Sequence, residues 1–124
     1  AQWAALGAIK GAEEDVKKMV SAFASRRKRM LEMLNSMPHI KVTEPKGAFY
    51  VFVDIKGCLG KRKDGKEISD DVAFCQILLG DEYLALVPGS AFLAPGYVRL
   101  SYANSMEEIE EGMKRLDRFL NSIR

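Results

Sequence analysis

Residues Leu86 to Ala103 read LVPGSAFLAPGYVRLSYA, and this stretch organises the rest of the chain. Two apolar segments are punctuated by Pro88-Gly89 and Pro95-Gly96. Proline fixes φ and glycine permits positive φ, so both pairs read as turns. The segment Tyr97-Val98-Arg99-Leu100-Ser101-Tyr102 is rich in strand formers and alternates with period two. Val98, Leu100 and Tyr102 then share one face, and Tyr97, Arg99 and Ser101 the other. An arginine in mid-strand has two explanations. It lies in water over an open sheet face, or it is a permanently charged planar fork on a rigid element, shaped to grip a carboxylate or phosphate. The Gly89-Ser90-Ala91-Phe92 loop before it lets backbone approach a ligand closely.

Working outward, Ala48 to Ile55 is the strongest strand signal, apolar almost throughout, as for a central strand. Glu44-Pro45-Lys46-Gly47 is the turn before it, and His39 to Thr43 a short strand candidate. Ala12 to Met37 has the spacing of one long helix, with Val16, Met19, Val20, Phe23, Met30, Leu34 and Met37 at three- and four-residue steps. Gln2 to Ile9 is a short apolar helix stopped by Lys10-Gly11. Ser69-Asp70-Asp71 opens a helix, with Ser69 or Asp70 as N-cap, which Gly80 closes. Tyr83 to Val87 is a strand leading into the decisive loop. Ser105, with Glu108 three residues on, is a capping box for a last helix to Ile123. Its buried stripe is Ile109, Met113, Leu116, Phe119, Leu120 and Ile123. The order is helix, strand, strand, helix, strand, strand, helix. It implies an α+β fold, a small and largely antiparallel sheet covered by helices on one face.

A resemblance now adds to this reading. VPGSAF followed by GYVRLSYA resembles the C-terminal segment of class I/II aminotransferases, the pyridoxal-phosphate enzymes of fold type I. Lys46-Gly47-Ala48-Phe49-Tyr50 with Val51-Phe52-Val53-Asp54 resembles their Gly-Ala-Phe-Tyr strand, and Ala1 to Leu6 is similar to the helix leading into their small domain. The likeness runs over nearly the whole chain, in matching order and spacing. It implies that residues 1–11 end a linker helix from a large domain preceding this chain, and that residues 12–124 are the small domain. It implies that Arg99 binds the α-carboxylate of an amino acid. Phe49 falls where the family places an aromatic edge near substrate, although core packing explains it equally well. Many members carry Gly after the Ser-Ala-Phe triplet, where this chain has Leu93.

The resemblance also implies a full-length homodimer that moves an amino group between an amino acid and a 2-oxo acid with pyridoxal 5'-phosphate. No stretch here resembles the family's lysine motif or its pyridine-facing aspartate segment. The chain alone is therefore expected to hold no cofactor and to be inactive. Its start at Ala1, without methionine, reads as a domain taken from a longer protein. The rival reading is a stand-alone α+β module that binds a small ligand or a partner protein through its sheet edge.

Composition excludes other classes. At 124 residues the chain makes one domain. A net charge of +2 provides no broad basic field for nucleic acid or an anionic membrane. The run Arg26-Arg27-Lys28-Arg29 does not change this, because four helical residues at ~100° each go round the cylinder rather than form one face. No apolar run approaches the ~18 residues of a membrane span, and no signal peptide is visible. The single histidine, His39, excludes a multi-histidine metal cluster and reads as a surface residue. Cys58 and Cys75 lack metal spacing and make no disulfide framework. They imply a reduced, cytoplasmic setting, with Cys75 a buried structural thiol. Lys56 to Ile68 reads as a mobile charged loop. Its Gly57-Cys58-Leu59-Gly60-Lys61 lacks the spacing and the Ser or Thr of a phosphate loop. Trp3 reads as core, with contact to a neighbouring domain as the alternative.

Overall fold

In the computed structural model, which describes residues 1–124, the decisive strand β6 (Tyr97–Ser101) is paired on both sides. Before it in the chain come α1 (Gln2–Gly11), α2 (Glu13–Leu34), β1 (Lys41–Val42), β2 (Tyr50–Asp54), β3 (Arg62–Lys63), β4 (Lys66–Glu67), α3 (Asp71–Glu82) and β5 (Val87–Pro88). After it comes α4 (Met106–Ser122). The main sheet has the order β1-β2-β6-β5, antiparallel at every step. Its register opposes Val51 to Leu100 and Val53 to Val98, so the apolar alternation of both strands falls on one face. Those four residues are buried with Met30 and Leu34 of α2, Phe74 and Leu78 of α3, and Ile109, Met113, Leu116 and Phe119 of α4 in one core. The α+β expectation, with the helices on one sheet face, holds. No helix is long and apolar enough to cross a membrane.

Helix α4 follows its sequence signals closely. Ser105 accepts from the Glu108 N–H, Glu108 reaches back to the Ser105 N–H, and the expected stripe is buried. The capping box satisfies two otherwise orphaned donors. Phe119 meets Phe74 edge to face with centroids 5.3 Å apart, which fixes α4 on α3.

Several expectations are corrected. Helix α2 stops at Leu34, before Met37, because the chain turns through Ser36 and Met37 ahead of Pro38, yet Met37 stays buried. The N-terminal half of its stripe, Val16, Met19 and Val20, is exposed. Trp3 is 86% exposed, since α1 packs on α2 and buries no residue; it is not core. The strand candidates shorten at their ends. His39 (φ 67°) and Ala48 (φ 61°) take left-handed backbone incompatible with a strand. Of the Tyr83–Val87 candidate only Val87 pairs, together with Pro88 just beyond it. Gly80 lies inside α3, which ends instead at Tyr83 in left-handed conformation.

The charged loop Lys56–Ile68 is structured. A short 3₁₀ turn (Lys56–Cys58) buries Cys58, β3 and β4 form a hairpin, and Ile68 is fully buried. The hairpin turn is Asp64-Gly65, both with positive φ, as a type I′ turn requires.

Candidate functional site: an arginine between two rings

Arg99 stands at the middle of β6, opposite Phe52 of β2 and Val87 of β5. Its neighbours Val98 and Leu100 are buried, so alternation sends its side chain to the face away from the helices. Tyr50, Phe52, Asp54 and Tyr97 share that face by register and are half-buried. The guanidinium carbon lies 4.2 Å from the ring centroid of Phe92 and 5.2 Å from that of Tyr50. Phe52 closes the row, 5.9 Å from Phe92 and 6.1 Å from Tyr50, both edge to face. None of the molecule's ion pairs includes Arg99. Stacked rings cover the flat faces of a guanidinium but leave its N–H donors, which lie in the plane at its edge. Arg99 thus lies against two aromatic rings with no acidic partner inside the molecule.

Phe92 reaches Arg99 because the Gly89–Phe92 segment folds as a 3₁₀ turn back over the sheet. Gly89 has no room for a side chain: a Cβ there would collide with the Ala94 carbonyl and meet the Tyr97 carbonyl at 2.7 Å. The turn ends at Leu93, whose backbone is left-handed (φ 58°, ψ 27°) and whose N–H donates to the Ser90 carbonyl. Glycine adopts that conformation without penalty, and leucine does not. The Leu93 side chain is 96% exposed, so no packing compensates it.

One buried carboxylate supports the turn. Asp71, 2% exposed, is the only charged side chain in the interior. It accepts from the Ser90 N–H at 2.7 Å and the Gly96 N–H at 3.3 Å. Burial pushes its pKa up, but the Ser90 and Gly96 hydrogen bonds outweigh that and hold it below the ordinary carboxylate value.

The sequence model of the aminotransferase class I and II family matches residues 1–116. The chain belongs to this family. Aspartate aminotransferase of Thermotoga maritima is 45% identical over 122 residues, covering 98% of this chain and 28% of that protein. Aspartate aminotransferase of Streptomyces avermitilis is 41% identical over 97% of this chain and 29% of its own length. The crystal structure of the aspartate aminotransferase from Rhizobium meliloti superposes with a TM-score of 0.93 at 35% identity, over 98% of this chain and 30% of that one. The chain thus spans under a third of the relatives it matches, and it corresponds to an aminotransferase C-terminal domain.

Within this aminotransferase domain, Phe49 is 53% exposed and meets the Tyr50 ring edge to face at 5.7 Å. It continues the aromatic row that ends at Arg99, and the core alternative for it fails. The sequence alone does not mark Tyr50, Phe92 or Asp71 as site residues. Tyr50 was findable, because strand alternation puts it on the face of Arg99; Phe92 and Asp71 depend on a fold-back no periodicity reports. Cys58 and Cys75 are both buried and free, and burial pushes each thiol up to about 12, so neither is a nucleophile. His39 is exposed and joins no group of metal-ligating side chains.

A pyridoxal-phosphate site needs a lysine free to form an imine, a carboxylate facing the pyridine nitrogen and an anion cradle. The lysine beside Tyr97, Lys56, lies over that ring at 4.5 Å and pairs with Asp54. The buried carboxylate, Asp71, is engaged by backbone. Neither Lys56 nor Asp71 is therefore free to take those parts.

Proposed function

We propose that residues 12–124 are the small domain of a pyridoxal-phosphate-dependent aminotransferase, and that residues 1–11 end a helix arriving from a larger preceding domain. The whole enzyme moves an amino group between an amino acid and a 2-oxo acid, and its Arg99 binds the α-carboxylate of either. The observation that carries this reading is the unpaired guanidinium held between Phe92 and Tyr50. A bidentate grip on the carboxylate fixes the rotation of the substrate about its Cα, and so orients the bond to be broken. Phe49 lines the approach on the Tyr50 side. Relatives named aspartate and aspartate/prephenate aminotransferases support an amino-acid substrate for this chain too.

The cofactor lies with the preceding domain in this reading, so the 124 residues alone do not catalyse. The enzyme is a cytoplasmic homodimer joined mainly through that domain. The exposed run Trp3, Ile9, Val16, Met19 and Val20 supports a covering neighbour rather than a stand-alone module. The deciding experiment is amino-acid turnover by the full-length enzyme carrying Arg99→Ala. A large fall in kcat/KM is expected, with cofactor content unchanged; wild-type turnover would remove Arg99 from the site.

A further inference from the structure

Asp71 is a charge without a counter-charge in the interior, which is costly unless hydrogen bonds replace water. Its own helix does not account for it. The N-cap role belongs to Asp70, whose carboxylate accepts from the Ala73 N–H at 2.7 Å. Asp71 instead faces across to a segment distant in sequence. Oδ2 accepts from the Ser90 N–H and Oδ1 from the Gly96 N–H, so one carboxylate clasps both ends of the turn. The positive end of the α3 dipole favours the ionised form at this place.

Between those two points the turn has little freedom. The Ala94 N–H donates to the Gly89 carbonyl at 3.0 Å and the Leu93 N–H to that of Ser90 at 3.1 Å. Gly89 is wedged against Ala94 and Tyr97. Phe92 is carried by this turn, and its ring is the nearer of the two that flank Arg99.

We infer that Asp71 is a positioning residue for Arg99: its carboxylate pins the Gly89–Gly96 segment so that the Phe92 ring stays against the guanidinium. Its relevance to substrate rests on the reading of Arg99 as the carboxylate fork, but the positioning stands on geometry alone. Removing the charge frees the turn, withdraws Phe92 and leaves Arg99 to sample other rotamers. A residue that merely stabilised α3 would lower stability without moving Arg99.

The test is NMR of the chain labelled with ¹⁵N-arginine. In the wild type the Arg99 Nε–H proton should lie upfield of exposed arginines, shifted by the ring currents of Phe92 and Tyr50. Phe92→Leu defines the signal that remains when the nearer ring is lost. Asp71→Ala, and the milder Asp71→Asn, should move Arg99 toward that position while Val51 and Val98 methyl signals stay in place. The inference is overturned if Arg99 is unmoved in both variants. It is equally overturned if Arg99 moves only together with the core in both, or if the wild-type signal sits with the exposed arginines. Succinate titration separates the two readings. A wild-type Arg99 signal that ignores succinate, with Asp71 variants still displaced, removes the carboxylate role and leaves Asp71 as the pin.

Discussion

The guanidinium of Arg99 lies 4.2 Å from the centre of the Phe92 ring, and the two residues are joined by a tight turn rather than by neighbouring strands. A cation over an aromatic face is worth about 0.5–2 kcal/mol, more as water is excluded. The ring therefore fixes the arginine without neutralising it, as an acidic partner would.

Replacing Phe92 by leucine keeps apolar bulk and removes the π face. In the full-length enzyme, Phe92→Leu should lower kcat/KM for the amino acid by about 0.5–2 kcal/mol in barrier terms. Arg99→Ala should cost about 2–5 kcal/mol, because a charged bidentate pair is lost. Arg99→Lys should recover only part, since an ammonium cannot fork. Steady-state kinetics of the three variants checks the order; equal losses in Phe92→Leu and Arg99→Ala would contradict it.

The second prediction concerns pH. The folded-state pKa of Asp71 is lowered: burial raises it, and donation by Ser90 and Gly96 lowers it further than burial raises it. A lowered native pKa means that the ionised carboxylate favours the folded state. The contribution is fully present above the unfolded carboxylate value of about 3.9 and disappears as pH falls through the native value. Asp71→Asn should cost about 1–3 kcal/mol at pH 7, where it leaves a donor unmatched. Urea denaturation from pH 7 downward should show the gap between wild type and variant constant to about pH 5 and narrowing below about pH 4. A gap that widened toward acid would mean that Asp71 is neutral in the folded protein.

Much of this architecture was legible in the residues. Strand β6 announced itself by alternation, and the Ser105–Glu108 box and stripe of α4 by spacing. Both signals are local, and local periodicity survives into the fold. The Asp64-Gly65 hairpin was equally local and was obscured by the charge of the surrounding loop. Trp3 misled because burial of a large ring depends on what covers it, which no property of α1 decides. Arg99 was visible as a mid-strand arginine, but its setting was not. Phe92 stacks on Arg99, and Asp71 reaches Ser90, across contacts set by how α3 and the turn pack.

Leu93 provides a third prediction. A left-handed residue with a Cβ costs about 1–2 kcal/mol, part of which glycine returns by entropy of the unfolded chain. Since the side chain is 96% exposed, nothing is lost on removing it. Leu93→Gly should raise unfolding free energy by up to about 1 kcal/mol, read as a shifted urea midpoint at constant slope. A fall in stability would mean that the leucine makes a contact in solution which its exposure does not reveal.

Two phenylalanines give the last prediction, because they differ in where their rings end. Phe119 is fully buried and packs edge to face on Phe74 at 5.3 Å. Truncating it removes transfer energy and leaves a cavity between α3 and α4, so Phe119→Ala should cost about 3–5 kcal/mol. Phe49 is 53% exposed, and its ring leans on Tyr50 alone among the aromatics. Phe49→Ala should cost about 1 kcal/mol or less in stability. In the full-length enzyme the same change should raise KM for the amino acid, if Phe49 lines the approach to Arg99. Denaturation of both variants, followed by kinetics on Phe49→Ala, separates a residue that holds the domain together from one that faces substrate. A stability loss at Phe49 comparable to that at Phe119, with KM unchanged, would return Phe49 to packing.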